Sequence, residues 1–152
     1  MKLNYHEGTW FAVPLRSDGF AVGVVARASK EGRVILCYFF GPCRDQLPKL
    51  EDVKHANHSE AIIAHRVGDL GLTSGEWPVI GHSESWDRSK WPVPVFIRRD
   101  PLRPLAWRVY RSNDDPNIII REEATPLEEN SLERDSVLGS GAAETVLTKL
   151  LG

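Results

Sequence analysis

Cys37, Cys43, His55 and His58 form one candidate set of metal ligands. Zinc sites usually space two cysteines by two to four residues and two histidines by three to five, so that one turn brings both ligands to the ion. Here five residues separate the cysteines and two separate the histidines. Cys37 also lies inside an apolar run, where a small buried thiol is common. The spacing argues against a metal site, and no metal or other cofactor is expected. Gly81-His82-Ser83-Glu84-Ser85 sets a serine beside a histidine. A nucleophile elbow requires Gly-x-Ser-x-Gly, and position 85 is serine. Adjacent side chains on an extended chain also point to opposite faces. His82-Ser83-Glu84 has the His-x-Glu of zinc deaminases without the Pro-Cys-x-x-Cys that should follow. Gly68-Asp69-Leu70-Gly71 and Gly139-Ser140-Gly141 lack the Gly-Lys-Ser/Thr ending of a phosphate loop. No catalytic residue is expected; a small hydrolase or metal enzyme at His82 or the Cys/His set is a rival reading.

Charge is unevenly distributed. Residues 86–111 hold seven Lys/Arg against Asp87 and Asp100, a net of +5, and residues 113–135 hold eight acids against Arg121 and Arg134, a net of -6. The basic segment is interleaved with Trp91, Phe96, Trp107 and Tyr110, the mixture that single-stranded nucleic acid requires. A nucleic-acid-binding module on 86–111 is therefore a second rival. Strand alternation would bury those aromatics, however, and the acids after Asn113 can neutralise the arginines within the chain. A pI near 6.2 is also low for such a domain. Tryptophan is enriched at protein-binding hot spots, and Trp77, Trp86 and Trp91 sit among prolines and polar residues. The candidate partner-binding residues are Trp77, Trp86, Arg88, Trp91, Asp114, Asp115, Glu122 and Glu123.

The elements that must position these residues are mostly strands. Thr9 to Leu15, Phe20 to Ala28 and Arg33 to Phe40 are rich in branched and aromatic residues. They are separated by Asp18-Gly19, a strong hairpin signal, and by Lys30-Glu31-Gly32. Gly41-Pro42 ends the third strand. A short central helix is expected from His58 to Arg66, with Asn57 as its cap, Glu60 closing a capping box, Ile62, Ile63 and Val67 on its apolar side, and Gly68 as its stop. Prolines 78, 92 and 94 keep the tryptophan segment at an edge or in ordered loop, with strands at Val79-Ile80 and Val93 to Arg99. Leu105 to Arg111 and Ile118 to Ile120 are further strands. Residues 121–136 read as acidic and weakly apolar. Ala142 to Leu151 forms a terminal helix with Val146, Leu147, Leu150 and Leu151 on its apolar side.

A chain of 152 residues suits a single core that buries about 70% of the unfolded surface without a disulfide or metal staple. The first ten residues, MKLNYHEGTW, lack a secretory apolar run. The longest apolar run, Val34 to Phe40, is far short of the roughly 20 residues of a membrane helix. Two cysteines fit a reducing compartment, so a cytoplasmic protein with no membrane partner is expected. The fold class is α+β, mainly β: a curved antiparallel sheet, barrel-like, with a short central helix and a C-terminal helix. Residues 1–112 form the β-rich domain, and 113–152 form an acidic extension and terminal helix packed on the same single domain.

Seven segments occur in a familiar order: Glu7 to Leu15 (EGTWFAVPL), Gly19 to Arg27 (GFAVGVVAR), Tyr38-Phe39-Phe40-Gly41, Gly68-Asp69-Leu70-Gly71-Leu72, Trp77-Pro78-Val79-Ile80-Gly81, Trp86-Asp87-Arg88 and Trp91-Pro92-Val93-Pro94-Val95-Phe96. This pattern resembles the immunity protein 26 family of bacterial polymorphic toxin systems, from about Glu7 to Tyr110. The resemblance implies a protein made beside a toxin that protects the producer by binding the cognate toxin domain, without catalysis. It carries over no catalytic residues. Gly8, Gly23 and Gly41 carry over as fold-defining positions only.

Overall fold

The computed structural model describes residues 2–152. Three strands open the chain: β1 (Thr9–Pro14), β2 (Phe20–Ala28) and β3 (Val34–Arg44). They form an antiparallel meander. Asp18 Oδ1 accepts the Gly19 N–H at 2.9 Å in the first turn, and Gly19 takes a positive φ of 77° that suits glycine. β4 (Ile63–Gly68) adds to β3 and β5 (Val79–His82) adds to β1, both antiparallel. β9 (Val137–Leu138) joins β4 in parallel, so the six-stranded order is β5-β1-β2-β3-β4-β9. β6 (Phe96–Arg99), β7 (Ala106–Arg111) and β8 (Ile119–Thr125) make a second, antiparallel sheet in the order β6-β7-β8. The fold is mainly β, and neither sheet closes into a barrel.

The large sheet is covered on both sides, and residue parity shows how. On one side lie odd-numbered residues of the meander: Phe11, Val13, Val25, Ile35, Cys37 and Phe39. On the other lie even-numbered ones: Trp10, Val22, Val24, Leu36, Tyr38 and Phe40. Successive strand side chains alternate faces, so a strand buried on both faces must be apolar throughout. Trp77 and the helix α3 (Ser140–Leu151) cover the odd face. The even face meets Trp91, Phe96 and Val109 from the tryptophan segment and the second sheet.

The structure departs from the sequence reading, or adds to it, at four places. No helix forms at 58–66. Asn57 and Glu60 make the predicted capping box, with Glu60 Oε1 accepting the Asn57 N–H at 2.8 Å, but it caps a single 3-10 turn, His58–Glu60. The chain then extends as β4, because Ile63, His65 and Val67 also alternate, and pairing with β3 satisfies their backbone along a whole strand. Gly68 therefore ends a strand. Second, two helical turns that the sequence did not suggest, α1 (Leu50–Val53) and α2 (Leu70–Ser74), flank β4, and α2 is capped by Gly75 at φ 84°. Third, residues 121–136 are partly ordered as β8 and then run along the free edge of β6, where Ile97 donates to Glu133 O (2.9 Å) and accepts from Asp135 N (2.7 Å). Finally, α3 buries Ala143 and Leu147, while Leu150 is 53% exposed.

Candidate functional site

The tryptophan/proline segment divides its indoles between the two faces of the large sheet. Trp77 takes the odd face. Its ring stacks on Phe11 with centroids 5.6 Å apart and planes at 2°, and its Nε1 donates to Glu144 Oε2 of α3 at 2.9 Å. Its exposure is 0%, so this expected contact residue is a core residue and offers a partner no surface. Gly71 makes the fit possible: a Cβ there would lie 2.3 Å from the indole.

Trp86 and Trp91 take the even face. Their rings stack with centroids 5.2 Å apart and planes at 16°. Trp91 is itself buried, with Trp10, Tyr38 and Phe40 edge-on around it at 5.2–6.0 Å. The Tyr38 hydroxyl donates to Pro92 O, and burial pushes its pKa up to about 12. Trp86 is half-buried and forms the outer layer of the stack. Together Trp10, Trp86 and Trp91 line an open cleft of about 920 Å³. One rim is α1 and the following turn, with Lys54, His55 and His58; the other is the segment from His82 to Asp87.

The His82-Ser83 pair sits on that second rim and forms no nucleophile–base couple. Thr9 Oγ1 and His82 Nδ1 are hydrogen-bonded at 2.7 Å, while Ser83 Oγ accepts from Trp10 Nε1 at 2.9 Å. His82 also stacks on His6, with centroids 4.5 Å apart. Burial, and then the His6 charge, hold its pKa below the usual histidine range. Cys37 is buried, which pushes its thiol pKa up, and Cys43 is exposed. Among the described residues, no three His, Cys, Asp or Glu side chains converge as a metal site would require.

The basic and acidic segments pair with each other. Arg88 donates from Nε and Nη2 to Glu7 (3.1 and 2.9 Å) and from Nη1 to Asp114 (3.2 Å). Arg98 pairs with Glu122 at 3.1 Å and stacks on Trp107. Arg108 reaches Glu129 at 3.2 Å and Glu123 at 3.7 Å, and the Tyr110 hydroxyl donates to Glu123 at 2.6 Å. Hydrogen bonds from Ser131 and then Arg108 hold Glu129 at a pKa of about 2. Asp115 accepts the Asn117 N–H at 2.9 Å in a turn. Of the expected contact residues, Trp86 and Trp91 share the cleft, and Arg88 and Asp114 share an ion pair. Glu122 and Glu123 lie on β8 with their charges already matched by β6 and β7. This leaves the 86–111 arginines much less free for a polyanion than their count suggests. Trp10 and Glu7 were not singled out by the sequence. Trp10 carried a signal, since its parity on β1 places it opposite Phe11.

The domain is mainly β, with an aromatic-floored cleft rimmed by polar side chains. The chain belongs to the immunity protein 26 family, whose family model matches residues 6–108. That span contains β1 to β6 and both rims of the cleft. No curated protein and no solved structure matches the chain. No helix among the described residues is long and apolar enough to cross a membrane.

Proposed function

We propose that this protein binds a cognate bacterial toxin domain in the cytoplasm and neutralises it by occlusion, covering a surface the toxin needs and performing no chemistry of its own. Membership of the immunity protein 26 family carries this reading, because the matched residues include the floor and both rims of the cleft. The cleft supports it physically. Its floor is a rigid tryptophan stack, the residue type most enriched at binding hot spots, and its rim is polar and mixed in charge, as interface rims are. The proposed contact set is Trp86, backed by the buried Trp91, with Arg88 and Asp114.

Genetics provides the test. The C-terminal domain encoded by the neighbouring gene is expressed alone and then together with this protein. Growth arrest by the first and restored growth with the second is the expected result. A toxic neighbour that this protein fails to counter would rule the reading out for that pair.

A further inference from the structure

Two arginines of the described residues are buried, Arg27 and Arg66. Arg66 has Asp135 at 3.3 Å. Arg27, only 2% exposed, has no ion-pair partner among the described residues. Its guanidinium donates to three neutral oxygens, Ala26 O (2.6 Å), Arg88 O (3.3 Å) and Asn113 Oδ1 (3.1 Å), and its Nε has no acceptor. Burial and then the neighbouring Arg88 disfavour the charged form, against a weaker opposing pull from Glu7, Tyr38 and Asp114. A buried cation ordinarily has its counter-ion in contact; here the nearest carboxylates, Glu7 and Asp114, contact Arg88 instead.

A backbone irregularity puts Arg27 in this position. The β2–β3 register runs Val25↔Cys37 and then Arg27↔Leu36, a bulge that sets Ala26 and Arg27 together against one residue of β3. By parity Arg27 belongs with Val25 on the odd face; the bulge turns it to the even face, toward the second sheet. Bulges commonly re-aim a side chain in this way beside functional sites. There it lines a pocket of about 360 Å³ with Arg88, Pro92, Tyr110, Asn113 and Ile120. Glu7 and Asp114 make their direct contacts with Arg88, so Arg27 is the guanidinium of this pocket with no carboxylate in contact. Its proline wall suits a methylene stem. Its lining includes Ile120, 65% exposed on β8, the edge strand of the small sheet.

We propose that this pocket is a carboxylate-binding site, filled by an acidic side chain of the toxin domain that docks over the exposed Ile120 and replaces Asn113 Oδ1 on Arg27. This rests on the toxin-binding reading for its occupant, though not for the carboxylate chemistry. A guanidinium with no carboxylate in contact matches one planar monoanion with two oxygens; a phosphate dianion would require a second such cation.

The probes are sodium acetate, followed by NMR of the Arg27 Nε–H at constant ionic strength, and the toxin domain, followed by calorimetry. Acetate is expected to shift the Arg27 resonance saturably in the wild type. Asn113→Asp supplies the carboxylate from within the chain. It is expected to raise the melting temperature, abolish the acetate response and weaken toxin binding by about tenfold or more. Arg27→Met is expected to lose both responses. No saturable shift in the wild type, or an undiminished shift in Asn113→Asp, overturns the carboxylate site. Equal toxin affinity of wild type and Asn113→Asp overturns the proposed occupant. Failure of the wild type to bind any neighbouring toxin instead removes the functional reading, and the acetate titration then decides the pocket by itself.

Discussion

Asp135 grips Arg111 with both carboxylate oxygens, at 3.0 Å from Nε and 2.8 Å from Nη2, and lends Oδ1 to Arg66 at 3.3 Å. Arg66 belongs to the large sheet, Arg111 to the small one and Asp135 to the acidic extension. One carboxylate therefore ties three parts of the chain, with the Arg111–Asp135 side chains only 8% and 5% exposed. Removing one partner of a buried ion pair strands the others without compensation and costs about 3–5 kcal/mol. Asp135→Asn should lower the melting temperature by about 10 °C in a chain of this size. A fall of only a degree or two in calorimetry would show that the cluster is hydrated rather than buried.

Gly71→Ala tests the indole packing beneath the sheet. Alanine favours a helix over glycine by about 1 kcal/mol, so α2 alone predicts a gain. The added Cβ would lie 2.3 Å from Trp77 Cδ2, and overpacking of that kind costs about 1–3 kcal/mol. A net loss of stability is expected in urea unfolding followed by tryptophan fluorescence. A more stable variant would mean that Trp77 shifts freely.

His82 provides a pH signature at the cleft rim. Its folded pKa lies below 6.5, through burial and then His6. The unfolded chain then binds the proton more readily, so stability rises with pH in the window between the two values. The His82 contribution is fully present above pH 6.5 and is lost as pH falls through the folded value. The ring-proton titration in NMR should have its midpoint below 6.5, and His6→Ala should move it upward. A midpoint unchanged by His6→Ala would remove the coupling.

Trp86 is the outer plate of a stack whose inner plate, Trp91, is buried. Trp86→Ala should therefore weaken toxin binding by about 30-fold or more, the scale of a 2 kcal/mol hot spot. Glu123→Gln, already matched within the small sheet, should change affinity little. Comparable losses for both in calorimetric titration would move the contact away from the cleft.

The meander was legible because its signals are local. β2 was read as Phe20 to Ala28 and occupies those residues, since a run of branched residues between two glycine turns leaves no other geometry. β4 was not, because Asn57, Glu60 and the spacing of Ile62, Ile63 and Val67 satisfy a helix locally, while the partner that makes them a strand, β3, lies well upstream. Trp77 and Trp86 are the same residue type in one proline-rich segment. Which face of the sheet each reaches is set by β5 pairing with β1, and that pairing is invisible to periodicity. The bulge at Arg27 is likewise a property of two paired strands; a reading of β2 alone places that side chain on the wrong face.

Occlusion makes a stoichiometric demand that catalysis does not. The direct measurement titrates the purified protein into the purified neighbouring toxin domain and reads residual toxin activity together with the intact mass of the toxin. The account predicts a linear loss of activity that ends at one equivalent, with the toxin mass unchanged. Inhibition by a small fraction of an equivalent, a change in toxin mass, or full activity in the presence of excess protein would contradict it.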